Sequence, residues 1–566
     1  MAVAERTGSA DERRGALPAD GQDTRDWLPW ADWRMTVGLV VGLLAVRVIY
    51  LIWLCPWGLI EDEAHYWDWS RHLSLSYYSR GPGIAWAIWL STSLLGSSEW
   101  AIRLPAALAS AVGALALARL TIDVTGGDER AGFLAAAAFC LVPIFQAEAQ
   151  VMTIDGPFLA CWTLAMWAAW RALERHRAGA RAAGLWALTG LLLGVGFLFK
   201  YTMVLLPSSL LLYAILRRHE LPWDRRLTAG ALACALVFAV VISPVFIWNW
   251  QNGWPMLRHG LGHLGAPGGD TPTQWTRPLA GFSLHEFAAA EIGVIGPPVF
   301  VLVVLATLRA FRERRRRRRN GAPRLYLLTC GLPIIGLFTA ISLVSRVEAN
   351  WPIAGFTSLL VLVAWGTRQA VAAWRRQRTD WEHKASAMVI RLPRPRNTWR
   401  SAWRWAIGCG IATQLIVFFP NYAARLPLVG RYVPLGRVMG GQQLAIRADA
   451  AAALVRERSG EEPFMMAASA GKTSQLAYYM HGRPTVYDAG GHIGTRPSAY
   501  NYFPDTDLSD PALLGRPAVM VNLPLQVWRE GFRFAAVESL GGVPPIHIGF
   551  DYGGMRPYHA SSIYRE

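Results

Sequence analysis

Charge is scarce in this 566-residue chain: Asp, Glu, Lys and Arg together make 17% of it, against about 25% in soluble globular proteins. Lysine is scarcer still, occurring only as Lys200, Lys384 and Lys472, so the basic side is almost all Arg. The six cysteines, Cys55, Cys140, Cys161, Cys234, Cys330 and Cys409, form no CxxC pair and lie in or beside apolar stretches. They read as small buried hydrophobes rather than metal ligands or bridges. Residues 420–566 hold no Cys and so carry no redox information. No cleavable signal peptide is visible either: the first 34 residues are polar, and the first apolar segment, from about Met35, is expected to span a bilayer. These shortages exclude a disordered chain, a secreted disulfide scaffold and an ordinary soluble enzyme.

What is abundant points to a polytopic membrane protein. The hydrophobic set makes 53% of the chain, with 27 Trp, a residue that gathers at membrane interfaces. The net charge of +17 (56 basic against 39 acidic residues) includes an unbroken run from Arg314 to Arg319. A nucleic-acid binder would place such residues on a folded basic face with interleaved aromatics. Here the run follows an apolar stretch, as in a cytoplasmic loop obeying the positive-inside rule, and no nucleic-acid partner is expected. Apolar runs at 36–55, 104–120, 131–148, 156–173, 183–199, 202–216, 228–250, 291–311, 325–344, 351–367 and 403–420 give about 11 candidate spans. A further run, 83–97, follows Pro82 and is assigned to the interface.

With the N-terminus inside, the Arg-bearing loops near 171–181, 217–226, 309–324 and 368–404 fall in the cytoplasm, and the acidic cluster Glu61, Asp62, Glu63 and Asp68 falls outside. The expected organisation is a cytoplasmic tail (1–35), a transmembrane domain (36–420) and an extracytoplasmic domain (421–566). In the last, Pro463–Ala468, Pro484–Tyr487 and Ala518–Leu523 read as strands and Ala445–Arg458 as a helix, which predicts a small α/β unit. Ala470-Gly-Lys-Thr-Ser474 looks like part of a phosphate loop. The full pattern needs a Gly where Met466 stands, and it fails.

The first outer loop, Gly58-Leu-Ile-Glu-Asp-Glu-Ala-His-Tyr-Trp-Asp-Trp-Ser-Arg71, reads as an amphipathic helix with Asp62, Tyr66 and Trp69 on one face and His65 close to it. Carboxylates where membrane meets water can act as general bases or bind a cation; the alternative is an interfacial helix with solvated acids and a Trp anchor. Asp155, in Thr153-Ile-Asp-Gly-Pro157, lies between two spans on the same side. An acid there is costly unless it meets water or a partner, although Asp also caps helices. Lys200 ends an apolar span, where it either snorkels or holds a phosphate as a point charge. Arg80 and Arg258 are on the same side. His259 and His263 have the i, i+4 spacing of metal ligands, but no HExxH accompanies them.

At these residues the chain resembles the bacterial members of the dolichyl-phosphate-mannose protein mannosyltransferase superfamily, which include the transferase that adds aminoarabinose to lipid A. All are polytopic glycosyltransferases of the GT-C type. The family's Asp-Glu pair before an aromatic helix is matched by Asp62-Glu63-Ala-His-Tyr66, its His-Pro-Pro or Lys-Pro segment by Arg80-Gly-Pro82, and its Thr-Pro-Asp-Ala-Pro by Thr153-Ile-Asp-Gly-Pro157. Its Gly-rich span ending in Lys is matched by Gly194-Val-Gly-Phe-Leu-Phe-Lys200, and a late-loop motif by Glu348-Ala-Asn-Trp-Pro352. Two departures, Arg-Gly-Pro and Thr-Ile-Asp, keep a cation and an acid respectively.

The resemblance implies a multi-pass protein of the bacterial cytoplasmic membrane that transfers a sugar, with inversion, from a polyprenyl-phosphate donor on the outer face to a lipid, polysaccharide or protein acceptor. Asp62, Glu63 and Asp155 would serve catalysis. Lys200, Arg80 and Arg258 would hold the donor phosphate. His65, Tyr66, Tyr77, Glu348 and Asn350 would contact substrate. A divalent cation is a candidate cofactor, with His259 and His263 as its candidate ligands. Two other classes explain the spans. A transporter of lipid-linked sugars predicts acids at the bilayer midplane and internal repeats, and a non-catalytic assembly scaffold leaves the convergence of acids and Lys200 unexplained.

Overall fold

A computed structural model describes residues 28–557 except 222, 264–267, 271–283, 317–320, 344–346, 388–397, 426, 428–434 and 494–496. Most of the expected N-terminal tail and Arg317–Arg319 of the basic run therefore lie outside the described residues.

Among the described residues, five helices are long and apolar enough to cross a membrane: Trp33–Leu54, Glu99–Val124, Arg225–Gln251, Ala322–Ile341 and Ile353–Glu382. The pair Leu284–Ile295 and Pro297–Glu313 makes a sixth if taken as one span, bent by 102°. Gly83–Leu95, Ala183–Phe199 and Tyr201–Leu216 are apolar but shorter. Among the described residues each of the eleven expected runs lies mostly on helix, but two are broken well inside the run. Run 131–148 stops at Leu141 and restarts at Pro143 because Val142, before a proline, is extended. Run 291–311 turns at Gly296, whose φ of +87° precedes Pro297.

The helix Glu99–Val124 sits at the centre. Its buried face carries Ala106, Ala107, Ser110, Gly113, Ala114 and Ala118, small residues that let neighbouring backbones approach closely in lipid. A Cβ on Gly113 would meet the Phe139 ring at 3.3 Å and the Ala160 backbone at 3.5 Å. Arg225–Gln251 is the opposite case. Leu232, Leu236 and Val240 are each more than 60% exposed, and an apolar helix that presents such a face is lipid-facing. The chain is a multi-pass membrane protein.

The C-terminal part forms a five-stranded sheet, β1 (Phe464–Ala467), β2 (Val486–Asp488), β3 (Ala518–Val521), β4 (Phe532–Gly541) and β5 (Ile546–Met555), in the order β2-β1-β3-β5-β4. β1 pairs in parallel with β2 and β3, and β5 joins antiparallel to β3 and β4. The three strands expected from sequence are β1, β2 and β3. The expected helix Ala445–Arg458 is longer, Leu435–Ser459. Ala470-Gly-Lys-Thr-Ser474 opens a helix, Ala470–Tyr479, that packs on the first-loop helix Glu61–Arg71.

Candidate active site

The first-loop helix begins at Glu61, and its first turn carries Glu61, Asp62 and Glu63, where acids favour the helix dipole. Successive residues point in different directions, and the two central acids separate. Asp62 is exposed and lies within electrostatic reach of Tyr66 and Glu148. Glu63 is fully buried. The Arg103 guanidinium donates to both of its oxygens at 2.8 Å, and the backbone N–H groups of Met152 and Ile60 add bonds of 2.9 and 3.2 Å. Arg103 in turn donates to the carbonyls of Gly58 and Trp57 and lies over the Trp57 ring. Glu63 thus departs from the catalytic expectation: its lone pairs are occupied in tying the outer loop to the central helix.

Asp155 opens the helix Asp155–Arg177 as its first residue, not as its cap, and its N–H is taken by Thr153 Oγ1 at 3.1 Å. Its carboxylate is buried and accepts from Lys200 Nζ at 2.5 Å and from Asn350 Nδ2 at 2.8 Å. Lys200 Nζ also donates to the Asn350 carbonyl at 3.0 Å. An ammonium has three donors, and two are used here. Three sequence-distant motifs, 153–157, 194–200 and 348–352, thus meet in one knot.

Arg80 reaches the same place by a close backbone approach. A Cβ on Gly81 would penetrate the carbonyl oxygen of Leu198, and one on Gly83 would lie 3.0 Å from it. The turn therefore seats flush on the chain two residues before Lys200, which only glycine at position 81 permits. Arg80 faces the hydroxyls of Tyr66 and Tyr201, and burial keeps the Tyr66 phenol protonated, its pKa raised.

Sequence reasoning missed Glu148. It is half-buried against this cluster, accepts from Thr153 Oγ1, and feels Asp155, Lys200 and Asp62. Burial, followed by the Asp155 charge, pushes its carboxyl up to about 8. The available signal was an acid ending an apolar run seven residues before Asp155.

Other expected residues lie elsewhere. His65 accepts from Trp69 Nε1 at 3.1 Å and contacts Ser474 Oγ at 2.9 Å, so both ring nitrogens serve the fold rather than a substrate. The Tyr77 hydroxyl is shared between the carbonyls of Trp69 and His72, both at 2.9 Å, and its ring stacks on Trp69. It too departs from the substrate-contact expectation. Arg258 is exposed, with Tyr502 and Gly253 as described neighbours. Glu348 is exposed on the turn that delivers Asn350. His259 faces Asp270 at 3.0 Å, and the side chain of His263 lies outside the described residues. Among the described residues no group of three or more His, Cys, Asp or Glu is arranged to hold a metal ion.

Comparison with known proteins finds similar chains. Residues 79–248, which include Arg80, Asp155 and Lys200, match the family model described as dolichyl-phosphate-mannose-protein mannosyltransferase. The chain is 29% identical over 334 residues to the lipid A galacturonosyltransferase RgtD of Rhizobium johnstonii, covering 58% of this chain and 64% of that one. It is 30% identical over 223 residues to an undecaprenyl phosphate-alpha-4-amino-4-deoxy-L-arabinose arabinosyl transferase of Pseudomonas aeruginosa, covering 37% and 40%. It therefore spans less than two thirds of the length of these relatives. The crystal structure of ArnT from Cupriavidus metallidurans in the apo state superposes with a TM-score of 0.58 at 17% identity, covering 91% of this chain and 98% of that one. The same protein bound to undecaprenyl phosphate gives 0.53 at 16% identity, again over 91% and 98%. The chain has the GT-C fold and resembles the bacterial dolichyl-phosphate-mannose protein mannosyltransferases and lipid A aminoarabinose transferases.

Proposed function

We propose that this protein is a glycosyltransferase that moves a sugar from a polyprenyl-phosphate donor to an acceptor hydroxyl or amine at the outer face of the cytoplasmic membrane. The observation that carries the reading is the convergence of Asp62, Glu148, Asp155, Lys200, Asn350 and Arg80 from five separate segments at the end of the helix Ala183–Phe199. Similarity to transferases named for undecaprenyl-phosphate-linked aminoarabinose and for lipid A supports a lipid-linked donor.

The geometry suits displacement at an anomeric carbon. Lys200 keeps one N–H for the donor phosphate, and Arg80 supplies a second cation, so charge developing on the leaving phosphate is stabilised where water is scarce. Asp155 and Asn350 hold the ammonium in place. Asp62, the exposed acid of the group, takes the proton of the attacking acceptor. The acceptor oxygen or nitrogen bonds to the anomeric carbon as the carbon–phosphate oxygen bond breaks on the opposite face, which inverts the configuration. A transporter is less well supported, because the acids lie in loops at helix ends rather than mid-span.

The test is envelope glycoconjugate mass spectrometry in a deletion strain complemented with wild type or Asp62→Asn. The expected outcome is a sugar restored by wild type only, with Asp62→Asn accumulating normally in the membrane. Removing a general base costs about 10²–10⁴-fold in rate. Equal restoration by both would overturn the assignment of Asp62.

A further inference from the structure

A buried donor without an acceptor is costly, about 1–3 kcal/mol, and native structures leave few of them. Two such atoms belong to residues at the end of the helix that Lys200 closes. Arg80 Nε is buried with no hydrogen-bond partner, although Arg80 Nη1 donates to the Ser79 carbonyl at 3.0 Å. The Tyr201 hydroxyl, next in sequence to Lys200, is likewise buried and unpartnered. It lies by Ser76 and Arg80, but neither approach closes as a hydrogen bond to it. Ser76 instead directs its hydroxyl toward the Arg80 carbonyl at 3.3 Å.

The positions of both groups are fixed. Tyr201 begins the short 3-10 turn Tyr201–Val204 immediately after the helix that Lys200 ends, and its ring packs on Phe197 at 5.0 Å. Arg80 is held by the seating of Gly81 and Gly83 on Leu198. A neutral phenol donor and a guanidinium donor are thus held within electrostatic reach of each other, the phenol on the residue that follows Lys200. Two carboxylates of the cluster are engaged elsewhere, Asp155 with Lys200 and Asn350 and Glu148 with Thr153, and the third, Asp62, is exposed. What the two donors lack is an acceptor, and an anion with several oxygens could serve both.

We infer that Tyr201 is a phosphate ligand: its hydroxyl and Arg80 Nε form a donor cradle, next to Lys200, for the phosphate of a polyprenyl-phosphate-linked sugar. The inference rests on the proposed donor class and adds a residue that neither the motifs nor the composition marks. A phosphate oxygen accepts from the phenol and the guanidinium together. This satisfies both buried donors only when the lipid is bound, so the orphaned atoms of the ligand-free protein become binding energy.

The test uses the full-length protein in detergent, with undecaprenyl phosphate and undecaprenol as probes, for wild type and Tyr201→Phe. Wild type is expected to bind the phosphate at least about tenfold tighter than the alcohol. Tyr201→Phe should weaken undecaprenyl phosphate binding about tenfold, the loss of one hydrogen bond to a charged group, and leave undecaprenol binding unchanged. The ligand-free melting temperature should stay level or rise, because the variant removes an unpaired buried hydroxyl; a hydroxyl that merely held the fold together would lower it. Unchanged phosphate affinity in Tyr201→Phe, or a lower ligand-free melting temperature, would overturn the inference and leave the proposed donor intact. A wild type that did not distinguish phosphate from alcohol would overturn the donor reading itself, and this inference with it.

Discussion

Asp62 and Glu63 are adjacent acids whose environments assign them different work. Glu63 is enclosed and paired with Arg103, so the pair is one unit, and removal of either partner would strand a buried charge. Glu148 is a third kind of acid, half-buried beside Asp155 and held up to about 8. Its value in the unfolded chain is near 4.5. Between those two pH values the folded protein keeps a proton that the unfolded chain releases, so this group lowers stability as pH rises through the window. Glu148→Gln carries no such titration. Followed from pH 5 to pH 9, its melting temperature relative to wild type should therefore climb and then level off above about pH 8. A constant difference across that range would show that Glu148 is ionised in the folded protein. The residue was hard to find in sequence because it closes an apolar run and belongs to no motif. Asp62, Asp155, Lys200 and Asn350 were legible because each sits in a short pattern next to Gly, Pro or an aromatic residue. The pattern reported proximity, but it could not report that His65, Tyr77 and Glu63 would spend their polar atoms on the fold.

At the scale of elements, the site depends on how closely the backbone around Gly81 approaches the end of the helix Ala183–Phe199. Gly81→Ala places a methyl into the Leu198 carbonyl, which flexible side chains cannot relieve, since the obstruction is backbone. The turn must lift, and Arg80 lifts with it. The expected effects are a loss of about 1–3 kcal/mol in stability, the usual cost of overpacking, and a raised KM for the lipid-linked donor, both measurable on purified protein. Normal stability with normal donor KM would mean that Arg80 does not depend on this contact. The helices themselves were largely legible, since each apolar run became one, but their breaks at Val142–Pro143 and Gly296–Pro297 lie inside runs whose hydropathy continues unbroken. In the sheet, the buried β1 and β3 stood out as short apolar runs. β4 and β5 did not: β4 is mostly exposed along its length, and β5 carries Gly549, Gly553 and Gly554, so neither shows a clean alternation.

At the scale of the molecule, the C-terminal part is bound to the helix that bears Asp62. Indole N–H is donor only, so Trp69 fixes His65 Nε2 as the acceptor and leaves the hydrogen on Nδ1, which donates to Ser474 Oγ at 2.9 Å. Ser474 contacts the Tyr500 hydroxyl at 2.7 Å, and Tyr500 donates to Asp68 at 2.6 Å. The chain of bonds leaves the first-loop helix at His65, crosses the C-terminal part and returns at Asp68. Burial drives the His65 pKa down to about 3, in keeping with a neutral ring that donates from Nδ1. Lys472 adds an ion pair to Glu61 at 2.9 Å, and a Cβ on Gly471 would collide with the same carboxylate. The incomplete phosphate-loop motif is therefore a docking segment: its Gly permits contact with Glu61, its Lys pairs with that acid, and its Ser links His65 to Tyr500. Tyr500→Phe cuts the chain in the middle and leaves the Asp68 carboxylate with Arg71 as its remaining described ion-pair partner. Hydrogen exchange should then quicken at the amides of Glu61–Arg71, corresponding to about 1–3 kcal/mol for an unpaired buried acceptor, while the amides of β1 and β3 keep their protection. Equal acceleration in the strands would place the weakness in the sheet. No acceleration in the loop helix would show that Arg103 and Glu63 alone hold Asp62 in position.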